Sequence, residues 1–388
     1  MLKNENQIIQ QATTWLNKDV FPLWTKKGID PLNGSFVESL TLEGEPTTAP
    51  RRAMVQARQI YSYSEAVKMN VLAPKEVNSI IEKSTRFLIE KYSLPSGAFI
   101  YSINAEEKPE GCQLELYTQA FALFCLARSY EILGQAEIKT AAKKLLHYLL
   151  SERRAPCGGF IEIKNEQSVY HSNPHMHLFE ATIEWMKVAP DQEWKEITVA
   201  LFELCTNKFI DQKTGAVAEF FDEKWQPLKE DGKFIFEPGH QYEWAWLMLE
   251  FKKVVGVEVG QRPKQLYDLG EKFGLRESSQ FVIDEVWSDL TAKKLSSRFW
   301  PQCERIKTAV SLGLQSPSDQ QANFAKSADA AMMTLFKYLE VSKKGLWRDT
   351  FSEAGNFDQL PAKASSLYHI INAFSEYKTK RPLLRSPD

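Results

Sequence analysis

Apolar residues recur at three- and four-residue spacing along most of this chain, and at six places that rhythm breaks into a short apolar–polar alternation. The breaks read GSFVESL (34–40), GAFIYSI (97–103), GGFIEI (158–163), GAVAEFF (215–221), QFVIDEVW (280–287) and GLWRDTF (345–351). Counted from positions 34, 97, 159, 215, 280 and 345, they lie 63, 62, 56, 65 and 65 residues apart. Six near-equal units constitute an internal repeat. Gln280 stands where the other units carry glycine, so a different turn is expected there.

Two helical runs fall between successive breaks. Their predicted spans are 4–24, 51–70, 75–93, 114–133, 137–152, 175–189, 192–209, 239–256, 260–274, 298–314, 320–340 and 362–378. Pro74 near a helix start, Gly134 after a helix and Pro190-Asp191 between two helices are end signals. A helix pair of this kind cannot bury its apolar side alone, so the repeats are expected to stack and close. The predicted fold is all-α, an (α/α)6 barrel of twelve helices with short β-hairpin turns at one end. No linker rich in Pro, Gly or Ser divides the chain, which is read as one domain over 1–388. The hairpin polar residues Glu38, Tyr101, Glu162, Glu219, Asp284, Glu285, Arg348 and Asp349 are candidate lining of a central cleft, most of them as rim groups.

Composition narrows the function classes. Of the 388 residues, 43% are hydrophobic and 25% charged, enough to bury a large core. A formal net charge of −2 without a basic tract argues against nucleic acid or an anionic membrane as partner. No apolar run is long enough to span a bilayer, and MLKNENQIIQQ has no secretory segment, so a cytoplasmic location is expected. Cys112, Cys125, Cys157, Cys205 and Cys303 form no CxxC pair and are read as reduced thiols. Nucleotide and nucleophile-elbow motifs (GxGxxG, GxxxxGK[ST], GxSxG) are missing.

The chemistry-bearing residues are unevenly placed. In FIFEPGHQYEWAWLMLEF (234–251) a Pro-Gly turn delivers His240 to a helix mouth, with Glu243 and Trp244 on the same face. Trp244, Trp246 and Leu249 equally suit a core, with His240 as a turn cap. His147 in AAKKLLHYLL has no polar neighbour and reads as a packed or surface group. In YHSNPHMHLFEATIEW, His175 and His177 point apart on a helix, which disfavours a metal; Asn173, His177 and Glu180 share a face suited to hydrogen bonding a polyol. His369 in SSLYHIINAFSEY can be core or catalyst, and two histidines in one cleft suit proton transfer near neutral pH. Arg58 shares a stripe with Met54, Tyr61 and Glu65, so its plain explanation is an Arg58–Glu65 pair. RFWPQCERIK (298–307) gathers Arg298, Trp300, Gln302 and Glu304 at another helix start, either a sugar platform or a buried Trp with a capping Glu.

With those segments in view, the chain resembles the N-acylglucosamine 2-epimerase superfamily, which includes mannose isomerases and mannose, cellobiose and N-acetylglucosamine 2-epimerases. The resemblance runs over essentially the whole length through QARQIY, LYTQAFAL (116–123), NPHMHLFEA (173–181), EPGHQYEWAW (237–246), RFWPQCE (298–304) and LYHIINAF (367–374). It implies the (α/α)6 barrel, and it implies roles. His240 and His369 would be the two acid/base histidines, with Glu243 orienting or polarising His240. Arg58 would contact the sugar oxygens around C1 and C2, Asn173 and His177 would bind substrate and assist ring opening, and Tyr117 and Trp300 would be contacting aromatics. His175 stands where other members carry a different residue.

The approach to the last histidine, PAKASSLYHIINA (361–373), is closer to the mannose isomerases than to the epimerases. The expected reaction is interconversion of free D-mannose and D-fructose through a cis-enediol(ate), with no metal and no cofactor. The expected partner is an unphosphorylated monosaccharide, and the expected state a monomer or homodimer. The alternative within the family is a 2-epimerase of mannose/glucose or N-acetylglucosamine. More remote are an (α/α)6 glycoside hydrolase using Glu219, Glu243 and Asp349, and a non-enzymatic scaffold.

Overall fold

The computed structural model describes residues 4–111, 113–163, 169–276 and 279–385. Among them twelve helices form two concentric rings. The inner ring holds α3 (Ala53–Lys68), α5 (Leu116–Leu133), α7 (Ser172–Val188), α9 (Pro238–Val255), α11 (Trp300–Gln315) and α13 (Leu367–Lys380). The outer ring holds α4 (Pro74–Tyr92), α6 (Ala136–Glu152), α8 (Gln192–Leu204), α10 (Arg262–Phe273), α12 (Ser318–Tyr338) and a first helix, α1 (Glu5–Trp15), continued by a π turn into α2 (Phe21–Lys27). No helix of the described residues is long and apolar enough to cross a membrane.

Sequence decides the ring. Outer helices bury one stripe, as α4 does through Val77, Ile81, Ser84, Thr85 and Leu88. Inner helices are covered all round: every residue of α9 from Pro238 to Phe251 is buried. Asp191 caps α8 by accepting from the Trp194 amide at 3.0 Å, and Gly134 and Gly256 end α5 and α9 in the left-handed conformation. Of the cysteines, Cys125, Cys157, Cys205 and Cys303 are free thiols, and Cys112 lies outside the described residues.

The six breaks are turns at the N-terminal mouth of the inner ring. They and the segments leading from them into the inner helices carry β1 (Ser39–Leu40), β2 (Arg51–Arg52), β3 (Ser102–Ile103), β4 (Tyr170–His171), β5 (Phe220–Phe221), β6 (Ile235–Phe236), β7 (Glu285–Trp287), β8 (Ala292–Lys294), β9 (Ser297–Arg298), β10 (Thr350–Phe351) and β11 (Ala362–Lys363). All pairs are antiparallel; β2–β3, β4–β5, β6–β7 and β9–β10 link one unit to the next, and β8 pairs with β7 within the fifth unit. The pair β1–β11 joins the first unit to the last and closes the circle. Gly34, Gly97, Gly159, Gly215 and Gly345 have positive φ, and a Cβ on Gly97 would lie 2.7 Å from the Lys144 backbone. Gln280 is not among the described residues of positive φ, so the fifth turn differs as its sequence implies.

One residue type, glutamine, ties the turn to the inner helix in four of the six units. The Gln56 side chain accepts from Phe36 N at 2.7 Å and donates to Phe36 O at 2.8 Å, and Gln119 does the same for Phe99 and Gln241 for Val217. Gln302, with its amide turned to donate to Gln280 O (3.2 Å), accepts from Val282 N at 2.6 Å. In the third unit His175 takes this position. Its Nε2 accepts from Phe160 N at 3.0 Å and its Nδ1 donates to His171 O at 2.9 Å, a neutral tautomer spent on structure.

Inside the inner ring side chains stack in tiers. Arg58, Phe121, His177, Glu243, Glu304 and His369 each lie six residues after Arg52, Glu115, His171, Glu237, Arg298 and Lys363, and form the first tier. Three residues on come Tyr61, Phe124, Glu180, Trp246, Lys307 and Asn372. Below them an ionic girdle closes the barrel. Arg128 meets Glu65 (3.1 Å) and Glu184 (3.2 Å), Lys187 bridges Glu184 (2.8 Å) and Glu250 (2.9 Å), and Lys380 bonds Ser311 (2.8 Å) and Glu376.

Candidate active site

The first tier is the floor of a cleft opening between the hairpins, and contacts run round it. The Arg58 guanidinium lies 4.3 Å from the Phe121 ring centre, and the Phe121 and His177 rings are 4.5 Å apart. His177 Nδ1 is 4.0 Å from Glu243 Oε1, and His369 Nδ1 is 2.9 Å from Glu304 Oε1. Every member of the tier is at least nine-tenths buried. Above the floor, Trp300 sits between two imidazoles, 5.0 Å from His240 and 5.7 Å from His369. All eight residues singled out by sequence (Arg58, Tyr117, Asn173, His177, His240, Glu243, Trp300 and His369) lie in or beside the first two turns of inner helices.

Each cleft imidazole has its own carboxylate. His240 Nδ1 donates to Glu219 Oε2 at 2.8 Å, His369 Nδ1 to Glu304 Oε1 at 2.9 Å, and His177 Nδ1 to Glu180 Oε2 at 3.1 Å. Glu180 also accepts from the Tyr368 hydroxyl. The carboxylate on His240 is therefore Glu219, from the hairpin, and not Glu243; no hydrogen bond or ion pair joins Glu243 to His240 among the described residues. The reason is geometric: Glu243, one turn deeper on α9, points to the barrel axis between His177 and Glu304, while Glu219 comes over the rim.

The electrostatics separate the histidines. Burial alone would lower the His240 pKa, but the Glu219 and Glu237 carboxylates outweigh it and push it up to about 9. Burial holds His369 down at about 3, with Arg58 and Lys307 nearby offsetting the pull of Glu304. His177, also buried, falls to about 4. At neutral pH His240 is an imidazolium and His369 a neutral base with Nε2 unprotonated. Burial and the neighbouring Glu304 raise Glu243 well above the ordinary carboxylate value, whereas Lys307 holds Glu304 down at about 2 against its burial.

Arg58 does not pair with Glu65, which belongs to Arg128. It donates to the Tyr117 hydroxyl at 2.8 Å, stacks among Phe121, Tyr368 and Tyr117, and leaves its buried Nε without a partner. The buried Asn173 Oδ1 and Glu243 Oε1 are likewise unmatched, and a hydroxylated ligand would satisfy all three. Three ligand sets (His177/Glu180/Glu243, Glu219/Glu237/His240 and Glu243/Glu304/His369) each gather within 4.8 Å, close enough for a metal ion. In all three the imidazole Nδ1 is already committed to a carboxylate.

At the rim, hairpin carboxylates clasp the starts of the next inner helices. Glu38 takes Arg52 Nε (2.6 Å), Glu162 takes His171 Nδ1 (2.6 Å), Asp284 takes Arg298 Nε (2.9 Å) and Asp349 takes Lys363 Nζ (2.9 Å). Glu219 occupies the same place in its unit and accepts from Glu237 N at 3.0 Å. There the cationic partner is set three residues further on, at His240, which brings the pair inside the cleft. His147 is exposed on α6 and far from this chemistry in role.

Comparison with known proteins bears on the family and the fold. The family described as N-acylglucosamine 2-epimerase (GlcNAc 2-epimerase) matches residues 34–373. A protein of Rhizobium meliloti (strain 1021) named mannose-6-phosphate isomerase is 34% identical over 367 residues, covering 93% of this chain and 94% of its own. Among solved structures, a D-mannose isomerase superposes with a TM-score of 0.84 at 18% identity, covering 96% of this chain and 97% of that one. The cellobiose 2-epimerase of Bacillus thermoamylovorans gives 0.85 at 18% identity, with 96% and 100% covered. The two superpositions show the (α/α)6 barrel.

Proposed function

We propose that this chain, which belongs to the N-acylglucosamine 2-epimerase family, is an aldose–ketose isomerase that interconverts free D-mannose and D-fructose. The observation that carries the reading is the pair of histidines on either side of Trp300, each with its own carboxylate, which burial and neighbouring charges drive in opposite directions, His240 up and His369 down. Removing the proton α to a sugar carbonyl requires a base that is unprotonated and a cation to neutralise the developing oxyanion. His369, its Nδ1 fixed by Glu304, presents Nε2 as the base that takes the C2 proton and returns it to C1 on the same face of a cis-enediolate. His240, charged by Glu219, protonates O1 as the C2 proton leaves and takes the O2 hydroxyl proton back as C1 is protonated, and Arg58, with no carboxylate partner among the described residues, stabilises the enediolate in between. Asn173 and His177 bind the sugar during ring opening, Tyr117 holds Arg58, and Trp300 offers a platform to the sugar face. A positioned base of this kind contributes about 10²–10⁴-fold.

The rim supports an unphosphorylated substrate. Arg52, Arg298 and Lys363 are each neutralised by a hairpin carboxylate, so phosphate would have to displace an existing ion pair. The Rhizobium relative's name makes the phosphorylated sugar the comparison to run. The test is proton NMR of D-mannose, and separately of D-mannose 6-phosphate, with purified protein in D₂O and a parallel EDTA-treated sample. Growth of fructose signals from mannose, insensitive to EDTA, is expected. Glucose in place of fructose would select a 2-epimerase, turnover of only the phosphate ester would overturn the free-sugar assignment, and loss of activity with EDTA would move the chemistry to one of the three ligand sets.

A further inference from the structure

Lys307 is wholly buried in the second tier, beneath the cleft floor, and the reaction outlined above makes no use of it. Its Nζ lies 2.7 Å from Glu304 Oε2 and 3.8 Å from the centre of the Trp246 ring. Glu304 is thus shared: one oxygen holds the His369 imidazole, the other the ammonium. Burying an ammonium is costly, and as a stabilising device a lysine–glutamate pair is no better than two apolar side chains. Glu243 of α9 and Glu180 of α7 also act on Lys307, so one ammonium serves a crowd of carboxylates. The charged and titratable groups facing His369 are Glu304 and Lys307 of α11, Glu243 of α9, Arg58 of α3 and its own neighbour Tyr368.

We propose that Lys307 is a positioning residue that keeps Glu304 an unprotonated, fully committed acceptor and thereby keeps His369 deprotonated and correctly turned as the base. Without the ammonium, Glu304, Glu243 and His369, gathered within 4.8 Å, bind an additional proton among them. Wherever that proton resides, His369 loses either its free Nε2 or its anchoring carboxylate. The inference rests on the reading of His369 as the base. It adds that the working range of this base on the acid side is set from one tier below.

The test is Lys307→Met beside Lys307→Arg in the full chain, with two readouts. One is kcat/KM for mannose isomerisation as a function of pH. The other is the pH titration of ¹⁵N-labelled histidine rings, with His369 assigned through His369→Gln. Lys307→Met is expected to move the acid limb up by more than about one pH unit, with the His369 resonance following, while Lys307→Arg returns both towards wild type. Lys307→Gln, which can still donate to Glu304, carries the test if the methionine variant does not fold. A folded neutral variant with unchanged limb and unchanged His369 titration would overturn the proposal, as would a wild-type His369 titrating near 6.5. A wild type inert towards mannose would instead sink the isomerase reading, and the ring titration would still decide the role of Lys307.

Discussion

Replacing Glu219 by Gln isolates the charge behind the proposed role of His240 as an acid. The amide keeps the side-chain shape and the oxygen that accepts from Glu237 N, and removes the anion 2.8 Å from His240 Nδ1. Opposite charges about 4 Å apart at an effective dielectric of about 20 attract by about 4 kcal/mol, equivalent to about three pKa units. Glu237, 3.9 Å from Nδ1, retains part of the field, so the His240 pKa should drop from about 9 to about the ordinary imidazole value of 6.5. At pH 8 the imidazolium fraction then falls about thirtyfold, while at pH 6 most of it survives. The assay is the initial rate of fructose formation from mannose between pH 5.5 and 10. The variant should show a basic limb displaced downward by two units or more, with near-normal rates at the acid end. A profile superimposable on wild type would refute the charge argument, and an equal loss at every pH would reduce Glu219 to a structural clasp.

His369→Ala should remove solvent exchange at C2 of mannose by at least about 10²-fold while leaving the melting temperature close to wild type, as measured by NMR in D₂O and calorimetry. Gln241→Ala strips the partners from the buried amide and carbonyl of Val217 and should cost about 1–3 kcal/mol in a denaturant titration. His175→Gln should be tolerated far better than His175→Ala, because glutamine fills this position in four other units. His240 also links stability to pH. Its folded pKa of about 9 exceeds the unfolded value of about 6.5, so its contribution of about 3 kcal/mol is complete below pH 6.5 and is lost as pH rises through 9. Melting temperatures measured from pH 6 to 10 should therefore fall less steeply in His240→Gln than in wild type.

Helices were legible in the sequence wherever tertiary burial and local periodicity agree, which in a closed ring of pairs is almost everywhere. The exceptions have local causes. The last inner helix was expected over 362–378 and runs Leu367–Lys380, because Ala362 and Lys363 pair with β1 and a short 3₁₀ turn follows. The helix expected from 175 begins at Ser172, since Pro174 is tolerated in a first turn whose amides need no helical partner. The partner of His240 was the harder matter. Helical spacing pointed to Glu243, three residues on, but the first tier points at the axis, and the hydrogen bond comes from a turn 21 residues earlier. The available signal was positional: Glu219 follows its glycine by four residues, as do Glu38 and Asp349 in their units. Glu304 was named beside Trp300 as a possible cap, and its pairing with His369 spans 65 residues, beyond any local pattern. The glutamine clamps carried a readable sign, a Gln recurring near four of the six inner-helix starts, but single residues at that period do not stand out without the fold.

The seam formed by β1 and β11 has a consequence for how the molecule comes into being. It pairs Ser39 with Lys363, and Trp24 reaches across it to donate to the carbonyl of Gly345 at 3.0 Å. Contacts so distant in sequence carry the greatest loop-closure cost, so they should form late, after pairs that meet locally. On the ribosome, the first unit must wait with one flank of its inner helix uncovered until the sixth has been made. His369, the proposed base, arrives only with the sixth unit. On the proposed mechanism, catalytic competence and circle closure are the same event, and a chain released early would be both inactive and in want of an apolar cover.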